Sequence, residues 1–261
     1  MKKTSIIALI ILAIIALVTI FVNIVSNRDM DEVSFYFFSL KDADASIVTY
    51  KNTVIMIDTG EEKDKKEIQE ELKGKKIQKI DYLILTHPDK DHIGNAKYLI
   101  ENYEIGTIFQ TDYDKDSELQ EELNRSIEEN KIENELVSNT VNIQIENMIM
   151  EIQPPNAKYK DSNNNSLVVT ISYNGKIALF AGDIKEERME EILPNLEEVD
   201  LLKYPYHGRK SKLSKEFIQK LKPKMTVITG ANPDENIISN LKNIGSKVRL
   251  TSEQYVEIIF E

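Results

Sequence analysis

The chain contains no cysteine and no tryptophan, and only three of its 261 residues are histidine. Without cysteine it can form neither a disulfide nor a thiolate zinc site. A Ser-His-Asp triad would have to use one of the same three histidines that a metal site would need. Its nine glycines form no glycine-rich phosphate loop. Because histidine is so scarce, the positions of these three residues carry most of the functional information.

Two of the histidines, His87 and His92, lie in the segment THPDKDHIGN, which follows the apolar run YLIL. Asp89 and Asp91 alternate with them on a loop after a predicted buried strand. Imidazole and carboxylate groups on such a loop can converge on one centre, and this mixture suits zinc, iron or manganese. An ordinary loop with turn and capping residues is the alternative. The third histidine, His207, also follows a short apolar strand, which favours a metal site.

The segment resembles the first metal motif of the metallo-β-lactamase superfamily, and within it the hydrolase domain of ComEC-type competence proteins. In the superfamily this motif is His-x-His-x-Asp-His, and here Asp89 replaces the second histidine, as in the ComEC-type branch. Further landmarks follow in the same order over residues 33–260. They are Asp44-Ala45, Asp58-Thr59-Gly60, Asn165-Ser166-Leu167-Val168, Ala181-Gly182-Asp183 and Tyr206-His207-Gly208, with Tyr206 in place of the first histidine of His-His-Gly.

The resemblance implies two metal positions that share a bridging carboxylate. The second position would consist of Asp91, His92, His207 and the bridging Asp183. The first would have only His87, Asp89 and Asp183, because the sequence has no fourth histidine. We therefore expect one or two divalent ions, zinc or manganese, with the second position held more firmly. Asp91 and Asp183 are also expected to orient a metal-bound hydroxide.

Other residues near these landmarks have expected roles of their own. The loop that carries His87 to His92 is called the metal loop. Asp58 and Thr86 should support it through hydrogen bonds rather than bind metal. Asp183 could instead cap the following helix, and the two roles are compatible. A basic segment, residues 203–224, begins beside His207, and its later lysines are as well explained by a solvated helix face. The expected substrate-binding residues are Arg209, Lys210 and Asn165.

The pattern of β-rich and amphipathic segments predicts a mixed α/β fold for residues 33–261. Short strands form a meander at the start, and strands and helices then interleave, with a helix over residues 93–102 after the histidine-containing loop. Asn174-Gly175 marks a hairpin turn. The resemblance makes this fold an αββα sandwich, with two facing sheets and helices outside. The polar stretch 154–165 is either a substrate loop or a plain solvated loop.

The amino-terminal region indicates a membrane anchor. Lys2 and Lys3 precede an apolar run from Ser5 to Val25, which as a helix would rise about 30 Å, the thickness of the bilayer's hydrocarbon core. The positive-inside rule places the lysines in the cytoplasm. We expect residues 1–28 to form a cytoplasmic tip and a single-pass signal anchor in the cell membrane, with residues 33–261 outside. A cleaved signal peptide and a secreted enzyme are the alternative.

The net charge of −11, from 33 basic and 44 acidic residues, argues against binding of nucleic acid by the whole surface. ComEC-type domains are associated with degrading one DNA strand, and a related surface branch cleaves phosphorylcholine esters of teichoic acids. The expected function is therefore a metal-dependent phosphodiesterase or nuclease that uses metal-bound hydroxide on DNA or a choline-phosphate ester. A non-catalytic surface or assembly protein on a degenerate hydrolase fold is the alternative, since one histidine is missing and Tyr206 replaces another.

The predicted anchor can be tested on intact cells with an epitope tag at each end of the chain. Added protease should digest the carboxy-terminal domain and leave the short cytoplasmic end, because only the domain would lie outside. The same digestion after lysis is the control for protease access. Protection of the domain in intact cells, together with its digestion after lysis, would show that the predicted topology is wrong.

Overall fold

Two seven-stranded β-sheets face each other in a computed structural model that describes residues 11–19 and 31–261. Residues 11–19 are helical. Within these two ranges, no helix combines the length and the apolar character that crossing a bilayer requires. More than half of the predicted anchor, Ser5–Val25, lies outside the described residues. The predicted membrane topology therefore stays a prediction.

The first sheet has the strand order β14-β1-β2-β3-β4-β5-β6. Its strands are β1 (Val33–Phe37), β2 (Ala45–Tyr50), β3 (Thr53–Thr59), β4 (Lys79–Leu85), β5 (Glu104–Thr111), β6 (Glu133–Val137) and β14 (Val256–Phe260). Strands β3 to β6 run parallel, while β1 pairs antiparallel with β14 and with β2, which pairs antiparallel with β3. The opening meander is therefore confirmed, and the sheet becomes parallel where helices begin to connect its strands.

The second sheet has the strand order β13-β12-β11-β10-β9-β8-β7. Its strands are β7 (Val141–Ile145), β8 (Met148–Gln153), β9 (Val168–Tyr173), β10 (Lys176–Phe180), β11 (Leu201–Lys203), β12 (Met225–Ile228) and β13 (Lys247–Leu250). It too is antiparallel on one side and parallel from β10 to β13. The Asn174-Gly175 turn joins β9 to β10, as predicted.

Helices cover the outer faces of both sheets. After residue 31 they are α1 (Lys65–Gly74), α2 (Lys90–Ile93), α3 (Ala96–Asn102), α4 (Glu118–Asn130), α5 (Glu186–Ile192), α6 (Ser214–Leu221) and α7 (Glu235–Asn243). Helices α1 to α4 pack on the first sheet, and α5 to α7 pack on the second. The αββα sandwich that the resemblance implied is therefore the observed architecture.

The central core lies between the sheets because alternate residues of each strand point inward. In β1, Val33, Phe35 and Phe37 are fully buried while the residues between them are partly exposed. The ring of Phe37 stacks on Phe180 of the second sheet, with 5.6 Å between centroids. Aromatic contacts of this kind fasten the two sheets together.

Two local predictions differ from the structure. Strand β6 was not predicted, because four of its five residues are exposed and its sequence, ENELV, lacks the alternation of a half-buried strand. It is an edge strand that pairs only with β5 among the described residues. The helix predicted over residues 93–102 is split into α2 and α3 at Gly94 and Asn95.

Gly94 joins the metal loop to the turn that follows β3. Its backbone nitrogen donates to the Gly60 carbonyl oxygen at 2.9 Å. A Cβ atom at Gly94 would lie 2.5 Å from the Lys90 carbonyl oxygen, 2.6 Å from the Glu62 nitrogen and 2.7 Å from the Gly60 oxygen. All three are backbone atoms, so they can give way only if the turn moves.

Gly94→Ala is therefore expected to destabilise the protein by about 1–3 kcal/mol, the usual cost of overpacking a close contact. Denaturant unfolding would measure it. Gly74→Ala is the matched control, because a Cβ there meets nothing within 4 Å and alanine favours a helix more than glycine does. Equal stability of the two variants would contradict the close approach at Gly94.

Candidate metal centre

The candidate centre lies where four parallel strands end. Strands β3 and β4 of the first sheet lead into Asp58 and Thr86, and β10 and β11 of the second lead toward Asp183 and His207. The carboxyl ends of parallel strands open onto loops, so side chains from both sheets can meet there. A backbone hydrogen bond from Leu167 to the Thr86 carbonyl oxygen, at 2.9 Å, links the sheets beside this meeting point.

Asp58 holds the start of the metal loop. Its Oδ1 accepts a hydrogen bond from the Thr86 backbone nitrogen at 2.8 Å, and the Thr86 hydroxyl lies within 3.0 Å of both carboxylate oxygens. Its Oδ2 lies 2.8 Å from Nδ1 of His92. A carboxylate on one imidazole nitrogen fixes the ring and directs the other nitrogen toward a metal. Asp58 and Thr86 therefore contact the back of the centre, while Nε2 of His92 faces its middle.

Three imidazoles and two carboxylates converge in front of this support. The ring centroids of His87 and His92 are 4.0 Å apart, and those of His92 and His207 are 5.7 Å apart. Oδ2 of Asp183 lies 3.6 Å from Nε2 of His92 and 3.1 Å from Nε2 of His207. Oδ2 of Asp91 lies 3.2 Å from the same His207 nitrogen. The structure thus brings five of the six predicted ligands together.

These side chains form overlapping groups that could hold an ion. Ligand atoms of His87, His92 and Asp183 lie within 4.8 Å of one another, and so do those of Asp91, His92 and His207. In the described part of the chain, the buried Nε2 atoms of His87 and His92 have no hydrogen-bond partner. Unpartnered imidazole nitrogens beside carboxylates suit a divalent ion such as zinc, manganese or iron. The residues present therefore fit the expected kind of ion.

The turn that carries His207 has an unusual backbone. Tyr206, His207 and Gly208 have φ angles of 51°, 49° and 78°, all in the left-handed region, which non-glycine residues seldom occupy. The Tyr206 nitrogen donates to Oδ1 of Asp183 at 3.1 Å. Gly230 lies against the turn so closely that a Cβ atom there would meet the His207 carbonyl oxygen. Asp183 and Gly230 together hold His207 in place.

Asp183 does not cap a helix. Helix α5 begins at Glu186, and its cap position is Lys185, which makes no side-chain capping bond. Oδ1 of Asp183 accepts the Tyr206 hydrogen bond instead, and Oδ2 faces the histidines. The alternative in which Asp183 caps the helix is therefore wrong, and its Oδ2 is available to bind a metal ion.

Asp89, the sixth predicted ligand, is turned partly away. Its Oδ1 accepts a hydrogen bond from Nζ of Lys115 at 2.7 Å, and its Oδ2 lies 3.7 Å from Nε2 of His87. Lys115 comes from the loop after β5, and nothing in its sequence context predicted this contact. The first metal position thus has two candidate ligands besides the shared Asp183, and a lysine ammonium already neutralises one of them.

Asn165 is not placed to bind a substrate. Its side chain is fully buried. The amide oxygen accepts from the Tyr159 nitrogen, and the amide nitrogen donates to the carbonyl oxygens of Tyr159 and Asp161, each at 2.9 Å. The predicted substrate contact of Asn165 is therefore wrong, because its amide makes its hydrogen bonds within the 154–165 stretch. Arg209 and Lys210 are exposed beside His207, as a substrate contact requires.

Burial and neighbouring charges separate the three histidines. Burial lowers the pKa of His87 to about 4, so its imidazole is neutral. Burial would also lower the pKa of His207, but the Asp183 and Asp44 carboxylates outweigh it and raise that pKa to about 10. Burial is likewise outweighed at His92, whose pKa lies well above its ordinary value because of Asp58 and Asp183. These carboxylates attract positive charge, and a divalent ion would replace protons on His92 and His207.

Two buried residues of the centre were not predicted from the sequence as members of it. Asp44 and Lys203 are 2% and 3% exposed and form an ion pair behind His207 and Asp183. Lys203 was counted in the basic segment for substrate, and Asp44 only as a landmark of the fold. The one signal in the sequence was that Lys203 directly follows two leucines; in the structure all three residues of this strand are buried.

Known proteins agree with this architecture. The profile described as the Metallo-beta-lactamase superfamily matches residues 40–230. ComE operon protein 3 of Bacillus subtilis (strain 168) is 29% identical over 192 residues, which cover 70% of this chain and 25% of that protein. The chain therefore spans about a quarter of the length of this relative.

Solved structures show the same fold at low sequence identity. The metallo-beta-lactamase fold protein YhfI from Bacillus subtilis superposes with a TM-score of 0.64 at 11% identity, covering 88% of this chain and 100% of that one. A diphosphatase from the PhnP family superposes with a TM-score of 0.54 at 16% identity, covering 88% of this chain and 98% of that one. The chain belongs to the metallo-β-lactamase superfamily, whose fold implies a divalent metal ion at this centre.

The Lys115 contact leads to a prediction about metal content. Lys115→Met should free Asp89 and strengthen binding of a second ion, because the ammonium no longer competes for the carboxylate. Equilibrium dialysis with manganese or zinc, followed by elemental analysis, would measure the number of ions bound. Lys158→Met is the matched control, since Lys158 pairs with Asp112 on a nearby loop at 3.2 Å. An unchanged metal content in Lys115→Met would contradict the competition.

Proposed function

We propose that this protein is a membrane-anchored, extracytoplasmic phosphodiesterase or nuclease that depends on a divalent metal ion. The observation that carries the proposal is the convergence of His92, His207, Asp91 and Asp183 beside exposed cationic side chains. A bound divalent ion would lower the pKa of a coordinated water and polarise a phosphoryl oxygen. The role of the protein is to hold these groups, to orient the attacking water and to bind the substrate phosphate.

Asp91 and Asp183 are the proposed orienting groups. Their Oδ2 atoms lie 3.2 and 3.1 Å from the same nitrogen of His207, so both carboxylates face the centre at this histidine. Although burial alone would raise the pKa of Asp91, its hydrogen bond with His207 holds that pKa well below the ordinary value. Burial would likewise raise the pKa of Asp183, but the charges of His207, His92 and Lys203 hold it well below the ordinary value. Both carboxylates are therefore ionised at neutral pH and can accept a hydrogen bond from water.

The rim of the centre supports an anionic substrate. Lys185 and Arg209 both lie against the ring of Tyr206, with Nζ of Lys185 4.5 Å and the Arg209 guanidinium carbon 5.3 Å from its centroid. A choline group would need an open aromatic face, and here two cations already lie against this ring. The guanidinium of Arg209 can bind a phosphate through two parallel hydrogen bonds. This arrangement favours a polyanionic phosphodiester such as nucleic acid over a choline-phosphate ester.

Two further points support the proposal. The similarity to ComE operon protein 3 agrees with the ComEC-type motif, although it covers only a quarter of that protein. The Tyr206 substitution also weakens the non-catalytic alternative, because it is the backbone nitrogen of Tyr206 that contacts Asp183. Any residue except proline supplies this donor, so the change of side chain leaves the second position intact.

The proposal can be tested with the full-length protein purified in detergent. The substrates are single-stranded DNA, double-stranded DNA, bis-p-nitrophenyl phosphate and p-nitrophenylphosphorylcholine, each with zinc and with manganese. We expect hydrolysis of at least one diester and its loss in Asp183→Asn, which removes the negative charge of the shared carboxylate. Glu198→Gln, at an exposed ion pair with Lys222, is the control. If the metal-loaded wild type hydrolyses none of the four, the proposed activity is wrong and the non-catalytic alternative gains support.

A second arm of the same assay separates polymeric from small substrates. Arg209→Ala should weaken binding of a polymer and flatten its salt dependence by roughly one phosphate contact, without changing metal content. Lys215→Ala is the control, because Lys215 is exposed on α6 farther along the basic segment. For a choline-phosphate ester the salt dependence should be slight even in the wild type. Unchanged catalytic efficiency in Arg209→Ala would remove that residue from the site.

A further inference from the structure

A buried lysine lies directly behind the metal-facing side chains. Nζ of Lys203 forms an ion pair with Oδ2 of Asp44, donates to the Gly182 carbonyl oxygen at 3.0 Å, and lies 3.5 Å from Oδ1 of Asp183. Its side chain is only 4% exposed, so it cannot reach a substrate. A fully buried lysine is rare unless it is paired, and this one is paired with two carboxylates of the centre.

Lys203 makes the two oxygens of Asp183 unequal. Oδ1 lies toward Nζ of Lys203 and accepts the hydrogen bond from the Tyr206 nitrogen. Oδ2 lies toward Nε2 of both His92 and His207. The hydrogen-bond donors on one side and the imidazoles on the other therefore fix which oxygen faces the centre.

Asp44 makes a corresponding contact with the back of His207. Its Oδ1 lies 3.5 Å from Nδ1 of His207, and its Oδ2 lies 3.8 Å from Nδ1 of His92. Within the described residues, neither Nδ1 of His207 nor Oδ1 of Asp44 has a hydrogen-bond partner. An imidazole that binds a metal through Nε2 carries its proton on Nδ1 and needs an acceptor there. Asp58 is already the acceptor for Nδ1 of His92. Asp44 is therefore the acceptor available to Nδ1 of His207.

We propose that Asp44 and Lys203 form a positioning pair, in which Asp44 orients His207 and Lys203 directs a single oxygen of Asp183 toward the metal. The proposal rests on the metal site of the proposed function. The ammonium also offsets the charge of carboxylates that are buried before any ion arrives. Removing it alone would leave Asp44, Asp58 and Asp183 as three nearly buried acids in one small space, which is costly unless one of the acids is removed with it.

The test uses the full-length protein with Asp44→Asn and Lys203→Met combined, so that no unpaired charge is left at this pair. The control is Glu198→Gln with Lys222→Met, which removes an exposed ion pair of 2.6 Å. Zinc affinity is measured by competition with a chelator, the cobalt-substituted protein gives a visible spectrum, and metal-free thermal unfolding reports stability. We expect zinc affinity to fall about 10–100-fold, the usual effect of losing an outer partner of a ligand, with a changed cobalt spectrum. The metal-free melting temperature should stay close to that of the control.

The outcomes separate this proposal from the one on which it rests. If the wild type binds no metal, the proposed function fails. If the wild type binds metal and the double variant does so with the same affinity and cobalt spectrum, only the positioning role fails. A pair that serves folding alone would lower the melting temperature and leave both metal readouts unchanged.

Should the double variant not fold, two other measurements decide. Asp44→Asn alone leaves Lys203 beside Asp183, and it should still lower zinc affinity and change the cobalt spectrum, because His207 loses its acceptor. In the zinc-loaded wild type labelled with ¹⁵N-histidine, the His207 Nδ1 resonance should show a bound proton in a hydrogen bond. A metal-bound His207 without a proton on Nδ1 would overturn the proposal.

Discussion

The structure depends on the balance of charge in one buried space. Asp44, Asp58 and Asp183 are each at most 3% exposed, and they lie beside three buried imidazoles. Carboxylates taken out of water in this number repel one another and cannot remain ionised without positive partners. Lys203 supplies one fixed charge, protonated His92 and His207 supply the others, and a divalent ion would take the place of the protons on these two histidines. Metal binding and the stability of this end of the sandwich are therefore linked, because the same carboxylates serve both.

The αββα fold brings these charges together at the ends of its strands. Each sheet contributes parallel strands whose ends meet at one edge, and the ligands lie just beyond the last residue of each strand. The metal loop is secured from behind by Asn95, whose amide nitrogen donates to the carbonyl oxygens of Thr59 at 2.9 Å and Glu61 at 2.6 Å. Asn95, three residues after His92 in the same segment, thus helps to fix the position of that histidine.

The sequence was most informative where ligands are close together in the chain. The spacing of His87, Asp91 and His92 could be interpreted without a structure, because a short loop after a strand leaves few arrangements. Asp44 and Lys203 could not be paired in the same way, since 158 intervening residues separate them and only the facing of the two sheets joins them. Asn165 shows the opposite error. Its place in a motif suggested a role at the open side of the centre, but the local turn uses all of its hydrogen bonds.

The departures from the usual superfamily pattern are better explained by a metal site with altered ligands than by a site that has lost its role. A decaying site should leave buried charges without partners, yet Asp89 is paired with Lys115 and Asp44 with Lys203. At the first metal position, which lacks one ligand, the Lys115 ammonium pairs with the Asp89 carboxylate. Where a histidine has become Tyr206, the backbone donor to Asp183 persists and the new ring lies against Lys185 and Arg209. Selection for folding alone would not require an unpartnered, neutral Nε2 on His87 aimed into the same space, and it is this atom that most directly points to an ion.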